Sequence, residues 1–116
     1  MKVTIIYDNE TDNKDLVSDW GFSCLIEFED KRTILFDTGA KGEILEENME
    51  KLGIDINDID EIFISHNHWD HVGGLPDILK NNEIVTYFPS FCEKLDKILM
   101  RVSLILIFLV PVENWI

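Results

Sequence analysis

Residues 3 to 7 (Val-Thr-Ile-Ile-Tyr) form an apolar, β-branched run that stops at Asp8-Asn9. That pattern predicts a first strand followed by a turn. Residues 9 to 20 are polar and acidic and read as a loop closed by Trp20-Gly21. Two further apolar runs, 23 to 29 and 32 to 37, flank Asp30-Lys31 and predict a hairpin with a two-residue turn. The second run ends at Asp37-Thr38-Gly39, where glycine admits an unusual backbone angle. Ile44, Leu45, Met49 and Leu52 then recur at helical spacing, with Glu43, Glu46, Glu47 and Glu50 opposite them. An amphipathic helix stopped by Gly53 follows from that pattern.

Residues 54 to 60 read as a short acidic connection, and 61 to 65 as a strand. Beyond Gly73-Gly74, residues 75 to 79 suggest a short helix, and 84 to 88 another strand ended by Pro89. Ser90, with Glu93 three residues on, forms a capping box and predicts a helix start. Strands come first and then alternate with helices, so the expected class is α/β (α+β), with helices packed on a sheet.

From Val102 to Val112 almost every residue is apolar. A helix needs roughly 17 residues to cross a bilayer core, so no stable membrane span is expected. Three readings stay open for this run: a buried strand, a membrane-associated tail, or a stretch that is not the native continuation past about Lys97. A membrane-surface role is disfavoured by the lack of flanking basic residues. Left uncovered, the run is an aggregation hazard.

The chain has 116 residues, 46% of them hydrophobic, which allows one globular domain at most. Its net charge is −13, and residues 98 to 116 carry only Arg101 and Glu113, so the excess lies before them. An acidic surface repels nucleic acid and anionic membranes, and no nucleic-acid partner is expected. Cys24 and Cys92 form no spaced framework and read as free thiols of a reducing cytoplasm. The N-terminal segment is too short and too quickly charged for a signal peptide.

All three histidines fall within residues 66 to 71, His-Asn-His-Trp-Asp-His. Imidazole and carboxylate together suit zinc, iron or manganese. The apolar run before them and Val72-Gly73-Gly74-Leu75 after them put these donors on a loop at a strand end. If the loop is extended, His66, His68 and Asp70 point to one side. His71 then breaks the alternation and, with Asp70, could serve a second ion. Gly73 and Gly74 let backbone pass close behind, with N–H groups that could face an anion. The plainer reading, a histidine-bearing surface loop or an adventitious metal site, does not explain four donors in six residues.

At these residues the chain resembles the metallo-β-lactamase superfamily. The resemblance rests on His66-x-His68-x-Asp70-His71 between a strand and Gly-Gly-Leu, and on the Asp37-Thr38-Gly39 strand end. It runs from the first strand to about residue 97. The segments 6–9, 20–23 and 65–71 look closest to the branch resembling dihydropterin ribofuranosyl-aminobenzene phosphate synthase.

The resemblance implies the N-terminal half of an αββα sandwich holding two divalent ions at one sheet edge, zinc first among the candidates. His66 and His68 would bind the first ion, and Asp70 and His71 the second. Asp70 would also take a proton during turnover, and Asp37 would fix the loop by hydrogen bonds, although a plain turn aspartate reads equally well. The implied activity is metal-dependent hydrolysis, with a metal-bound hydroxide attacking an ester, phosphoester or lactone-type bond of a small-molecule substrate.

The family draws three further ligands from its second half, and no histidine follows His71 here. The expectation is therefore a truncated domain, 1–97, with an anomalous apolar tail, 98–116. The alternative function is an inactive fragment or a metal-binding interaction module. An uncovered sheet face would favour a homo-oligomer, pairing with a missing C-terminal half, or aggregation.

Overall fold

Strand β1 (Lys2–Tyr7) lies antiparallel to β2 (Ser23–Glu27), which pairs antiparallel with β3 (Thr33–Phe36). The chain then leaves the sheet through helix α1 (Gly42–Lys51) and a 3-10 turn (Ile56–Asp58). It returns as β4 (Glu61–Phe63), parallel to β3. Helices α2 (Trp69–Val72) and α3 (Leu75–Leu79) lead to β5 (Val85–Tyr87), parallel to β4. The computed structural model describes residues 1–80 and 82–88. Pro89, the helix start at Ser90, Cys92, the boundary at 97 and the apolar tail lie outside them.

The result is one mixed sheet of order β1-β2-β3-β4-β5, α+β as the sequence predicts. Strand side chains alternate between two apolar faces. Leu25, Leu35 and Ile62 pack with Leu45 and Met49 of α1 and Ile78 of α3. Leu45, Ile62 and Ile78 are fully buried, each contributing about 1.5–3 kcal/mol relative to exposure. The other face gathers Val3, Cys24, Ile26 and Ile34, flanked by Phe22, Phe28, Phe36 and Phe63. Burial pushes the Cys24 thiol up to about 12, with the nearby Asp37 charge adding to the effect. Cys24 is thus an apolar packing residue rather than a nucleophile.

Three local features differ from the sequence pattern. The hairpin connection is three residues long, not two. Lys31 N–H donates to Phe28 O at 2.9 Å and Phe28 N–H to Arg32 O at 2.9 Å, with Lys31 at φ +70°. This is a turn completed by one left-handed residue. The 54–60 connection contains the 3-10 turn, capped by the Asp55 side chain accepting from Asn57 N–H. The predicted strand at 61–65 ends at Phe63; Ile64 N–H still donates to Tyr87 O at 3.0 Å, and the chain bends at Ser65.

The acidic loop after β1 is held by Asn48. That side chain is fully buried on α1, accepts from Val17 N–H at 2.9 Å and donates to Ile6 O and Val17 O. Lys41 adds an ion pair to Asp19 at 2.8 Å. Gly21, at the end of this loop, lies against the Asp70 carbonyl of the histidine segment.

Candidate metal centre

Parallel pairing of Phe36 with Phe63 brings the carboxyl ends of β3 and β4 level. In parallel α/β arrangements ligands bind beyond such ends. Asp37 leaves β3 at φ +58°, a conformation costly for most side chains but accessible to aspartate. Its N–H donates to Phe63 O at 2.8 Å, and its carbonyl accepts from Ser23 Oγ at 2.7 Å. The carboxylate is 1% exposed and carries three bonds. Oδ1 accepts Ser65 N–H at 2.6 Å, and Oδ2 accepts Ser65 Oγ–H at 2.5 Å and the His71 Nδ1 proton at 2.6 Å.

His66 follows directly, with Nδ1 2.8 Å from Ser65 Oγ. Its ring lies 4.5 Å from the His68 ring and 4.1 Å from the His71 ring, centre to centre. Donor atoms of His66, His68 and Asp70 come within 4.8 Å of one another, and so do those of Asp37, His66 and His71. In the second grouping the Asp37 oxygens already accept three hydrogen bonds, one of them from the His71 ring. With Nδ1 on Asp37, His71 Nε2 lies on the opposite side of the ring, 3.8 Å from Asp70 Oδ2. Burial holds His66 below the ordinary imidazole pKa, and the neighbouring His71 and His68 push the same way. A neutral ring keeps the lone pair that a cation needs.

The extended-loop expectation fails at its second half. His68 is extended, but Trp69–Val72 form a helical turn, with His71 N–H and Val72 N–H donating to His68 O. That turn swings His71 back toward His66 instead of away. The expected anion-facing N–H groups of Gly73 and Gly74 are also absent. Gly73 N–H donates to Trp69 O at 2.9 Å and Gly74 N–H to Gly39 O at 3.2 Å. Their small size does matter: a Cβ on Gly73 would collide with Ala40 O, and one on Gly74 with Thr38 O. Thr38 in turn holds the His71 carbonyl with both its N–H (2.8 Å) and its hydroxyl (2.9 Å).

Sequence reasoning gave Ser65 and Thr38 no role. A hydroxyl directly before the first histidine was a usable signal for Ser65. Nothing local signals Thr38, whose partner is 33 residues away. A groove of about 590 Å³ lined by β1, the loop after it and Leu52–Ile54 contains none of these donors.

The family model of the metallo-beta-lactamase superfamily matches residues 21–89, from Gly21 through the histidine cluster and past β5. The chain belongs to this superfamily. It is 44% identical over 86 residues to the 7,8-dihydropterin-6-methyl-4-(beta-D-ribofuranosyl)-aminobenzene-5'-phosphate synthase of Methanocaldococcus jannaschii. That match covers 70% of this chain and 29% of the synthase. Ribonuclease Z of Lactobacillus acidophilus is 34% identical over 76 residues, 60% of this chain and 23% of the enzyme. A solved metal-dependent hydrolase of the beta-lactamase superfamily superposes with a TM-score of 0.52 at 37% identity. There the match covers 63% of this chain and 25% of that one. The chain thus spans between a quarter and a third of these two relatives, the synthase and the hydrolase.

The donor set fits the divalent ions of this superfamily. Three imidazoles and a carboxylate are ligands of the type zinc, iron and manganese take. The Nδ1 atoms of His66 and His71 are engaged behind the cluster, as ligating histidines require.

Proposed function

We propose that the chain carries the ligand loop of a metal-dependent hydrolase acting on an ester, phosphoester or lactone-type bond of a small molecule. The observation that carries this reading is the convergence of His66, His68, Asp70 and His71, with His71 anchored from behind by Asp37. His66 and His68 would hold one divalent ion, and Asp70 and His71 a second, with zinc best matched to the nitrogen-rich set. Such ions, when bound, supply Lewis acidity and lower the pKa of water. The residues themselves hold the donors in place. Asp37 keeps the His71 ring aimed, and Asp70, 28% exposed, is placed to accept and release a proton at its carboxylate.

A small-molecule substrate suits a chain of net charge −13 better than a polyanion does. The relative named ribonuclease Z keeps a phosphodiester within the proposed bond classes. Residues 1–97 are read as the unit that carries the site, in a reducing cytoplasm.

Metal analysis of the purified chain, paired with hydrolysis of bis(p-nitrophenyl) phosphate, tests the reading. His68→Ala is expected to lose metal and turnover together. Unchanged metal content in that variant overturns the reading.

A second reading is a metal-binding module without turnover. It is favoured by the confinement of every histidine to residues 66–71, where a catalytic zinc normally takes three protein ligands. Its signature is substoichiometric metal with no hydrolysis.

A further inference from the structure

The hydrogen bonds behind the histidines form a directed chain. The Asp37 carboxylate has acceptors only. It takes the Ser65 N–H on Oδ1, and on Oδ2 both the Ser65 hydroxyl and the His71 Nδ1 proton. A serine hydroxyl has one proton to give. With that proton on Asp37, Ser65 Oγ meets His66 Nδ1, 2.8 Å away, as an acceptor. His66 must then carry its proton on Nδ1. Both rings are left with bare Nε2 atoms, although only one of them touches the carboxylate.

We propose that Ser65 is a positioning residue that relays the Asp37 carboxylate to His66, so that one buried carboxylate sets the tautomer of two imidazoles. His71 is set directly and His66 through the hydroxyl. In the ligand assignment above, these two histidines serve different ions. A single side chain from β3 would therefore orient a donor for each. The backbone bond from Ser65 N–H holds the serine in register independently of its hydroxyl, so removing the hydroxyl breaks the relay without releasing the strand end.

The test is long-range ¹H–¹⁵N correlation spectroscopy of the metal-free chain of 116 residues at a pH where the imidazoles are neutral. The wild type is expected to show the Nδ1–H form at both His66 and His71. In Ser65→Ala, His66 is expected to move to the Nε2–H form or a mixture while His71 stays unchanged. Ser65→Thr, which keeps the hydroxyl, is expected to restore the wild-type pattern. An Nε2–H form at His66 in the wild type overturns the proposal. So does a His66 signal that Ser65→Ala leaves unmoved, or one that changes together with His71.

A parallel zinc titration against a chromophoric chelator reads the consequence. Ser65→Ala is expected to weaken zinc binding by roughly 10- to 100-fold, the usual effect of losing a partner behind a ligating histidine, with recovery in Ser65→Thr. Unchanged zinc affinity in Ser65→Ala overturns the orienting role. The zinc titration rests on the proposed ligand set and the tautomer readout does not. Failure to bind zinc in the wild type would therefore sink the proposed function while leaving the relay tested.

Discussion

Asp37 is the residue on which the centre depends. Replacing it with alanine would strand three donors, the Ser65 N–H, the Ser65 hydroxyl and the His71 ring proton, in a partly buried setting. Each buried donor left unpaired costs about 1–3 kcal/mol. With the donors only partly buried, Asp37→Ala is expected to lower unfolding stability by roughly 1–3 kcal/mol in a urea titration. A midpoint equal to wild type would show that these bonds contribute little. The four donors were legible in the sequence because they sit within six residues and their chemistry is unusual. The part played by Asp37 was only half legible: its type and its place after a strand fit a turn aspartate equally well. What separates the two readings is contact with residues 28 and 34 positions away, which no local pattern encodes. Ser65 had a local signal in its place directly before His66, but its bond to Asp37, 28 positions away, was equally invisible.

Among the elements, the strands and α1 follow directly from apolar periodicity, and Gly53 at φ +72° ends the helix as predicted. The departures are short elements, where periodicity has too few residues to speak. Helix α2 has four residues, yet it decides where His71 goes. Its placement depends on the preceding loop. Gly21 sits at φ +119°, and a side chain there would strike the Asp70 carbonyl. Its N–H is fixed by Asn9 Oδ1 at 2.7 Å. Gly21→Ala is expected to displace the turn bearing Asp70 and His71 and to weaken zinc binding. The same substitution at Gly53, where nothing lies within 4 Å, should leave zinc binding at the wild-type level. Equal zinc affinity in the two variants would contradict this close approach.

Taken whole, the molecule combines a sheet with apolar side chains on both faces and a net charge of −13. Among the described residues, no helix is long and apolar enough to cross a membrane. Like-charge repulsion opposes compaction. Raising the ionic strength from about 0.01 to about 0.15 M shortens the screening length from about 30 to about 8 Å. The melting temperature is expected to rise over that interval in sodium chloride; a fall would point to attractive pairs as the dominant electrostatics. The fold class was legible because it needs only element types and their order. The mixed pairing was not, because strand neighbours are chosen across the chain. That choice has a consequence for assembly. The Asp37 support behind the cluster is in place only when β3 and β4 meet with Phe36 beside Phe63. A slip of one residue would carry Asp37 away from Ser65 and turn every side chain of the slipped strand to the opposite face. A cation that binds more tightly when Asp37 aims His71 would draw misaligned chains toward the native alignment by mass action. The ion would thus act as a proofreader of strand pairing.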